Sequence, residues 1–315
     1  MHSGAMTATY AALWVGVLAS AARHAPPALP APATTAPVPT PRHPSPSGSP
    51  WPQRTAGHGH GGGSALVSDC GAVGDGTTDA TSAVSKCIGQ QSTSSGRVVF
   101  PPGLWLLSQT VPVNATTPFD LGGQGWSSNV LWSMDAHLFE FAGDTQHLTM
   151  HDLAISSVGA TKSPTSTAVR FTTSFQYSVI TNVLVWGTGS IPAPASGPKL
   201  AATPAGGGFD FGTYTQTVTL TDCYVWTAKG FAVKIGHGAE VRIGGGRFEG
   251  VTPRSGIGVW ATGGNGGIHL TSTDIGTWNI GFLANQSTPR AALPFGSNRE
   301  IFMTHATLDS CGTGL

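Results

Sequence analysis

Three charged residues are spaced as chemistry would need them. Glu140, Arg170 and Asp210 each stand between two apolar neighbours: Phe139 and Phe141, Val169 and Phe171, Phe209 and Phe211. In an extended strand each therefore points outward while its neighbours are buried. On consecutive turns of a coil the three side chains would form one column, with about 4.8 Å between neighbours. Ala232 and Gly258 are expected to follow in that column, leaving open surface beside Asp210. The two carboxylates would then lie about 9 to 10 Å apart, near the upper end of the span used to split a glycosidic bond with inversion. Arg170 between them works against that, because a guanidinium keeps both groups ionised and leaves no general acid. The other chemistry open to the column is elimination beside a uronate. There carboxylates hold Ca²⁺ and the uronate while a basic side chain takes the α-proton, and Ca²⁺ is the one cofactor the column suggests. A salt-bridge ladder bracing the coil would give the same pattern with no chemistry at all.

The column matters because charge is scarce. The chain has 315 residues with 15 Lys+Arg and 15 Asp+Glu, against roughly a quarter charged in an average globular protein. A net charge of zero provides no basic footprint for nucleic acid and no polybasic face for anionic lipid, so neither is expected as a partner. Hydrophobic residues at 39% exclude a wholly disordered chain. With 44 Gly and few Glu or Lys for helical surfaces, short strands and turns are expected rather than helices.

Aromatic residues supply a second candidate surface. Trp186 and Trp226 align on successive repeats with Tyr224 beside Trp226, and sugar rings stack on such faces; Trp260 and Trp278 fall on later repeats. No G-x-S-x-G, P-loop or H-E-x-x-H occurs. His147 and His151 have zinc-like spacing, but they fall on a strand.

The elements that must hold these residues are repeats. Units beginning at Leu138, Ala168, Gly208, Gly230 and Gly256, with a sixth near Gly281, each contain a short strand, a polar turn, a second alternating strand and a further turn. That last turn carries Asp152, Asn182, Asp222, Gly245, Ser272 and His305 in succession. Polar residues at a repeated tight turn read first as backbone-bonding turn formers.

The rest of the chain divides simply. Residues 1–21 read as a signal peptide ending in Ala19-Ser20-Ala21, although no Lys or Arg precedes Arg23. Residues 22–64 are a tether holding 11 of the 23 Pro and ending in a Gly-rich run with His58 and His60. Residues 65–315 form the folded domain and contain all 15 acidic residues. The expected location is secreted and extracellular, with no membrane contact once the signal is cleaved. Cys70, Cys87, Cys223 and Cys311 allow three pairings, of which Cys70–Cys87, closing a short loop, is preferred. The chain stops at Leu315 where another coil is expected, which suggests an incomplete C-terminal end and association through it.

The start of the domain is more specific. Asp69-Cys-Gly-Ala-Val-Gly-Asp-Gly-Thr-Thr-Asp-Ala-Thr81 precedes a helical stripe of Ala80, Ala83, Val84, Cys87 and Ile88, with Thr78 or Asp79 as cap. Val98-Val-Phe-Pro-Pro-Gly-Leu-Trp-Leu-Leu107 and Leu121-Gly-Gly-Gln-Gly125 follow. In that order these motifs resemble the opening of the pectate-lyase-like superfamily, above all its rhamnogalacturonase or epimerase-like pectate lyase domain. Cys70 and Ala80 depart from the pattern, where that family more often has an aromatic residue and a second Asp. The resemblance implies an all-β, single-stranded, right-handed parallel β-helix with a short helix closing its N-terminal end. It also implies a secreted protein that cleaves a pectin-like or other polysaccharide by elimination or hydrolysis. The alternative is a non-catalytic module for glycan binding or surface attachment. The polygalacturonase series is not carried over: Gly236-His237-Gly238 and Arg242-Ile243-Gly244 are too close together to occupy separate turns, and no Asp pair precedes a strand.

Overall fold

The computed structural model describes residues 63–142, 145–172, 175–187, 201–212, 215–236, 238–262, 265–285 and 300–314. All belong to one compact unit, His58–Leu315. The expected signal segment 1–21, all but the last two residues of the tether, and His237 lie outside the described residues.

The strands pair in parallel and climb as a coil with three sheets. In the first, Phe119–Gly122 pairs with the start of Leu148–Ser157, which pairs with Phe175–Trp186, then Thr215–Thr221, Gly238–Gly244, Asn265–Thr271 and Ile301–Thr304. The second stacks Gly103–Leu107, Ser128–Trp132, the ends of Leu148–Ser157 and Phe175–Trp186, then Tyr224–Ile235, Arg247–Gly250 and Asp274–Gly276. The third runs through Val111–Val113, Phe139–Phe141, Thr167–Phe171, Ala205–Phe211, the end of Tyr224–Ile235, Ser255–Ala261 and Trp278–Ala284.

What reads in sequence as one alternating strand thus serves two sheets, bent at a single left-handed residue. Asp152, Asn182, Asp222, Ser272 and His305 have φ between 51° and 54°, and Gly245 has 67°. Short polar side chains tolerate this conformation best among non-glycine residues. Asn182 Nδ2 also donates to Asp152 Oδ1 on the previous turn at 2.7 Å. The repeated polar positions are therefore corners of the coil.

Inside, apolar side chains stack in columns. Phe139, Val169 and Phe209 are fully buried. Phe141, Phe171 and Phe211 stack ring on ring, with centroids 4.7 and 5.3 Å apart. Each such burial stabilises by about 1.5 to 3 kcal/mol. The helix Thr81–Gln91 buries Val84, Cys87 and Ile88 against the same core. Asp79 Oδ1 accepts from the Thr81 N–H at 3.0 Å at its entry, while Thr78 instead donates to Asp75. The Asp75 carboxylate takes the N–H groups of Thr77 and Thr78, each at 2.7 Å, and these bonds hold it well below the usual carboxylate range. The opening motif is thus spent on a turn and a helix entry. Cys70 and Cys87 are joined by a disulfide; Cys223 and Cys311 are free, and burial pushes the Cys223 thiol up to about 12. No helix among the described residues is long and apolar enough to cross a membrane.

Candidate functional site

The outward column of the third sheet forms as the alternation requires. Arg170 pairs in register with Glu140 on one side and Asp210 on the other. Beyond Asp210 the expectation fails: Asp210 pairs with Lys234, and Lys234 with Trp260, so Ala232 and Gly258 are not in the column. The pairing register differs from the Gly208–Gly230 match by one residue at Ala205–Ala228 and, after a one-residue bulge near Lys229-Gly230, by two from Gly207–Phe231 onward. The signal that finds it is the alternation Val233-Lys234-Ile235, which repeats Phe209-Asp210-Phe211.

The column is no simple salt-bridge ladder. Lys234 Nζ lies 3.4 Å from Asp210 Oδ2, and its ammonium also stands over the rings of Trp260 and Phe231 at 5.7 and 5.9 Å. Arg170, between two carboxylates, forms no ion pair with either among the described residues. Its Nη1 instead donates to Nε2 of His137 at 2.7 Å. His137 carries no sequence signal of its own, because it precedes its strand rather than alternating within it. Its backbone carbonyl accepts from Thr110 Oγ1 at 2.7 Å, and its Nδ1 lies 2.7 Å from Thr167 Oγ1. Burial, and then the Arg170 charge, lower its pKa and favour the neutral ring.

His137, Arg170, Asp210, Lys229, Lys234 and Trp260 line one groove of about 730 Å³, with Pro164 and Thr165 on its far wall. Glu140 lies beside this lining, one turn from Arg170, and is half-buried. The wall is fixed from beneath: Asp135 Oδ1 accepts from the Ser163 N–H and the Ser166 hydroxyl, each at 2.6 Å. It approaches so closely that a Cβ on Gly230 would run into the Pro164 carbonyl.

The donor set does not fit Ca²⁺. Asp210 is already paired with a lysine, a guanidinium stands between the two carboxylates, and no group of three His, Cys, Asp or Glu side chains suited to a metal occurs among the described residues.

Trp186, Trp226 and Tyr224 fall on the second sheet, outside the groove. Trp186 and Trp226 pair in register with centroids 5.5 Å apart, Arg247 covers the Trp226 ring at 5.4 Å, and Tyr224 meets Trp126 edge-on at 5.4 Å. The structure therefore separates the aromatic set from the charged one.

Residues 65–131 match the family described as "Rhamnogalacturonase A/epimerase, pectate lyase-like", and the strands beyond them complete a parallel coil. Over its opening residues the chain is similar to that family, and its fold is a parallel β-helix. Among solved structures, the Dettilon tailspike protein aligns at 16% identity over 79% of this chain and 45% of its own, with a TM-score of 0.57. The chain thus spans less than half of that tailspike. The catalytic unit of a GH87 α-1,3-glucanase from Streptomyces thermodiastaticus aligns at 17% identity over 78% of this chain and 47% of its own, with a TM-score of 0.38. Pectate lyase Pel9A aligns at 11% over 68% of each, with a TM-score of 0.39. At such identities the likeness of this parallel coil to the tailspike is one of fold. Among curated proteins, none matches the sequence.

Proposed function

We propose that this pectate lyase-like coil is a secreted glycan-active protein that binds an acidic polysaccharide along the third sheet and cleaves it by β-elimination. The observation that carries this reading is the state of Arg170. It lines the groove and bonds to a neutral imidazole rather than to the carboxylates above and below it. Such a guanidinium is free to take an anionic group of a substrate in a charge-assisted, bidentate bond. Lys229 and Lys234 line the same groove, and Trp260 provides a ring face for a sugar. Elimination beside a uronate needs these parts: a cation on the carboxylate that acidifies the α-carbon, and a base that takes its proton. Hydrolysis is less well served, because Asp210 is held against Lys234 rather than free to act on a leaving group. The family description supports action on a glycan, and the Cys70–Cys87 bond suits an oxidising compartment.

The test is a panel of polygalacturonate, alginate and a neutral glucan. Ultraviolet-absorbing unsaturated ends on a uronate polymer are expected, with Arg170→Ala lowering kcat/KM about 100-fold. New reducing ends without absorbance would move the chemistry to Glu140 and Asp210. Binding with neither product would make the domain a glycan-binding module.

A further inference from the structure

We infer that His137 is the general base of this site and that Arg170 latches it until a substrate carboxylate arrives. The inference rests on the elimination reading above and names the proton acceptor that reading needs.

Arg170 can only donate, so Nε2 of His137 is an acceptor and the single proton of the neutral ring sits on Nδ1. Thr167 faces Nδ1 with Oγ1 at 2.7 Å and with its backbone N–H at 3.2 Å; the N–H competes for Nδ1, but the shorter contact, to Oγ1, takes that proton and fixes the ring plane, while the Thr110 hydroxyl holds the backbone behind it. The ring is thus held in place in the groove lining as a general base should be, with Nε2 covered by a guanidinium that lines the same groove. A carboxylate is a better partner for that guanidinium than an imidazole, since both members of the pair are charged. When a uronate takes Arg170, Nε2 is uncovered beside the carbon whose proton the same contact has acidified. Nε2 then takes the α-proton, the C–H electron pair becomes the new C=C bond, and the bond from the β-carbon to the glycosidic oxygen breaks. The leaving oxygen keeps that pair and takes a proton from water, and the imidazolium returns its proton to solvent. Lys234 is unsuited to the role: an ammonium paired with Asp210 has no lone pair. The charges acting on His137 are Arg170, Glu140, Asp210 and Lys234, and of these Arg170 has the largest effect. Neutralising it by a bound carboxylate must therefore raise the His137 pKa.

Two measurements on the full chain test this. In the first, the His137 ring is titrated by NMR with and without trigalacturonate. The midpoint should rise on binding in the wild type, and should already be raised without ligand in Arg170→Ala. A midpoint unmoved by bound trigalacturonate overturns the latch. In the second, His137→Gln, whose amide can still accept from Arg170, and His137→Ala should each lose elimination at least about 100-fold while keeping trigalacturonate affinity within about threefold. Added imidazole should partly restore His137→Ala. If the wild type eliminates and both variants keep its rate, His137 is not the base although elimination stands. If the wild type yields no unsaturated ends, the elimination reading falls and this inference falls with it.

Discussion

His151 sits between two carboxylates, with Nε2 3.0 Å from Asp120 Oδ1 and Nδ1 2.9 Å from Asp152 Oδ2. Both ring nitrogens can donate only if the ring is charged. The bond to Asp120 is the largest influence, and it raises the His151 pKa against the opposing effect of burial. Because the folded-state value lies above the unfolded one, the stabilisation is complete below the unfolded value of about 6.5 and is lost as pH rises through the folded value. A charge-assisted pair at such a site contributes about 1 to 2 kcal/mol, which in a domain of this size shifts the thermal midpoint by roughly 2 to 8 °C. Melting curves from pH 5.5 to 9 should show that fall for the wild type and a flatter profile for His151→Asn; a flat wild-type profile contradicts the assignment. Lys162 makes a second prediction. Its Nζ donates to the carbonyls of Val158 and Ala160 at 2.7 Å and of Ser133 at 3.4 Å, with only 2% of the residue exposed. It ties down the segment that leads to Pro164 and Thr165 on the groove wall. Lys162→Met leaves those carbonyls without their donor and should cost about 2 to 3 kcal/mol in urea unfolding. It should also weaken glycan binding, whereas a purely structural lysine would leave affinity unchanged.

A strand of the third sheet positions its outward side chain through the two residues that flank it. Phe171 lies between Phe141 and Phe211 in the internal stack and directly follows Arg170. Phe171→Ala should cost about 3 to 5 kcal/mol by urea unfolding, since neighbours held on both sides cannot collapse into the space. This logic made much of the fold legible. Alternation of apolar and polar residues gave the direction of Glu140, Arg170 and Asp210, and the recurrence of Asp, Asn and Ser gave the corners. It stopped where local rules stop. A longer path into this turn together with a bulge of one residue near Gly230 leaves the composition of the repeat untouched but shifts its register by two, so Lys234 replaced Ala232 beside Asp210. The partner of Arg170 was hidden for another reason: His137 sits in a turn before its strand, and only the closure of the coil brings its ring to the guanidinium. Trp186 and Trp226 aligned correctly on neighbouring turns, yet alignment along the coil says nothing about which of three sheets will carry a pair.

Across the whole molecule, charge is balanced in total but uneven in place. The net charge is zero, yet the groove lining holds Arg170, Lys229 and Lys234 against the single carboxylate Asp210. A concave surface with an excess of one sign focuses its field, and that field is screened over about 10 Å at 0.1 M salt. Long-range attraction of the whole protein to a polyanion should therefore be weak, while attraction at this groove should be strong and local. Affinity for polygalacturonate, measured by calorimetry, should fall about tenfold or more between 0.05 and 0.5 M NaCl. Affinity for a neutral glucan should barely change over the same range. The salt dependence should become shallower in Lys229→Ala, which removes a groove cation without touching the His137–Arg170 pair. An equal salt response in Arg247→Ala, on the second sheet, would place the polyanion on the tryptophan face instead. The two surfaces are distinguishable because the fold puts their cations on different sheets: Lys234 follows Asp210 in the third, while Arg247 pairs with Asp274 at 3.2 Å in the second.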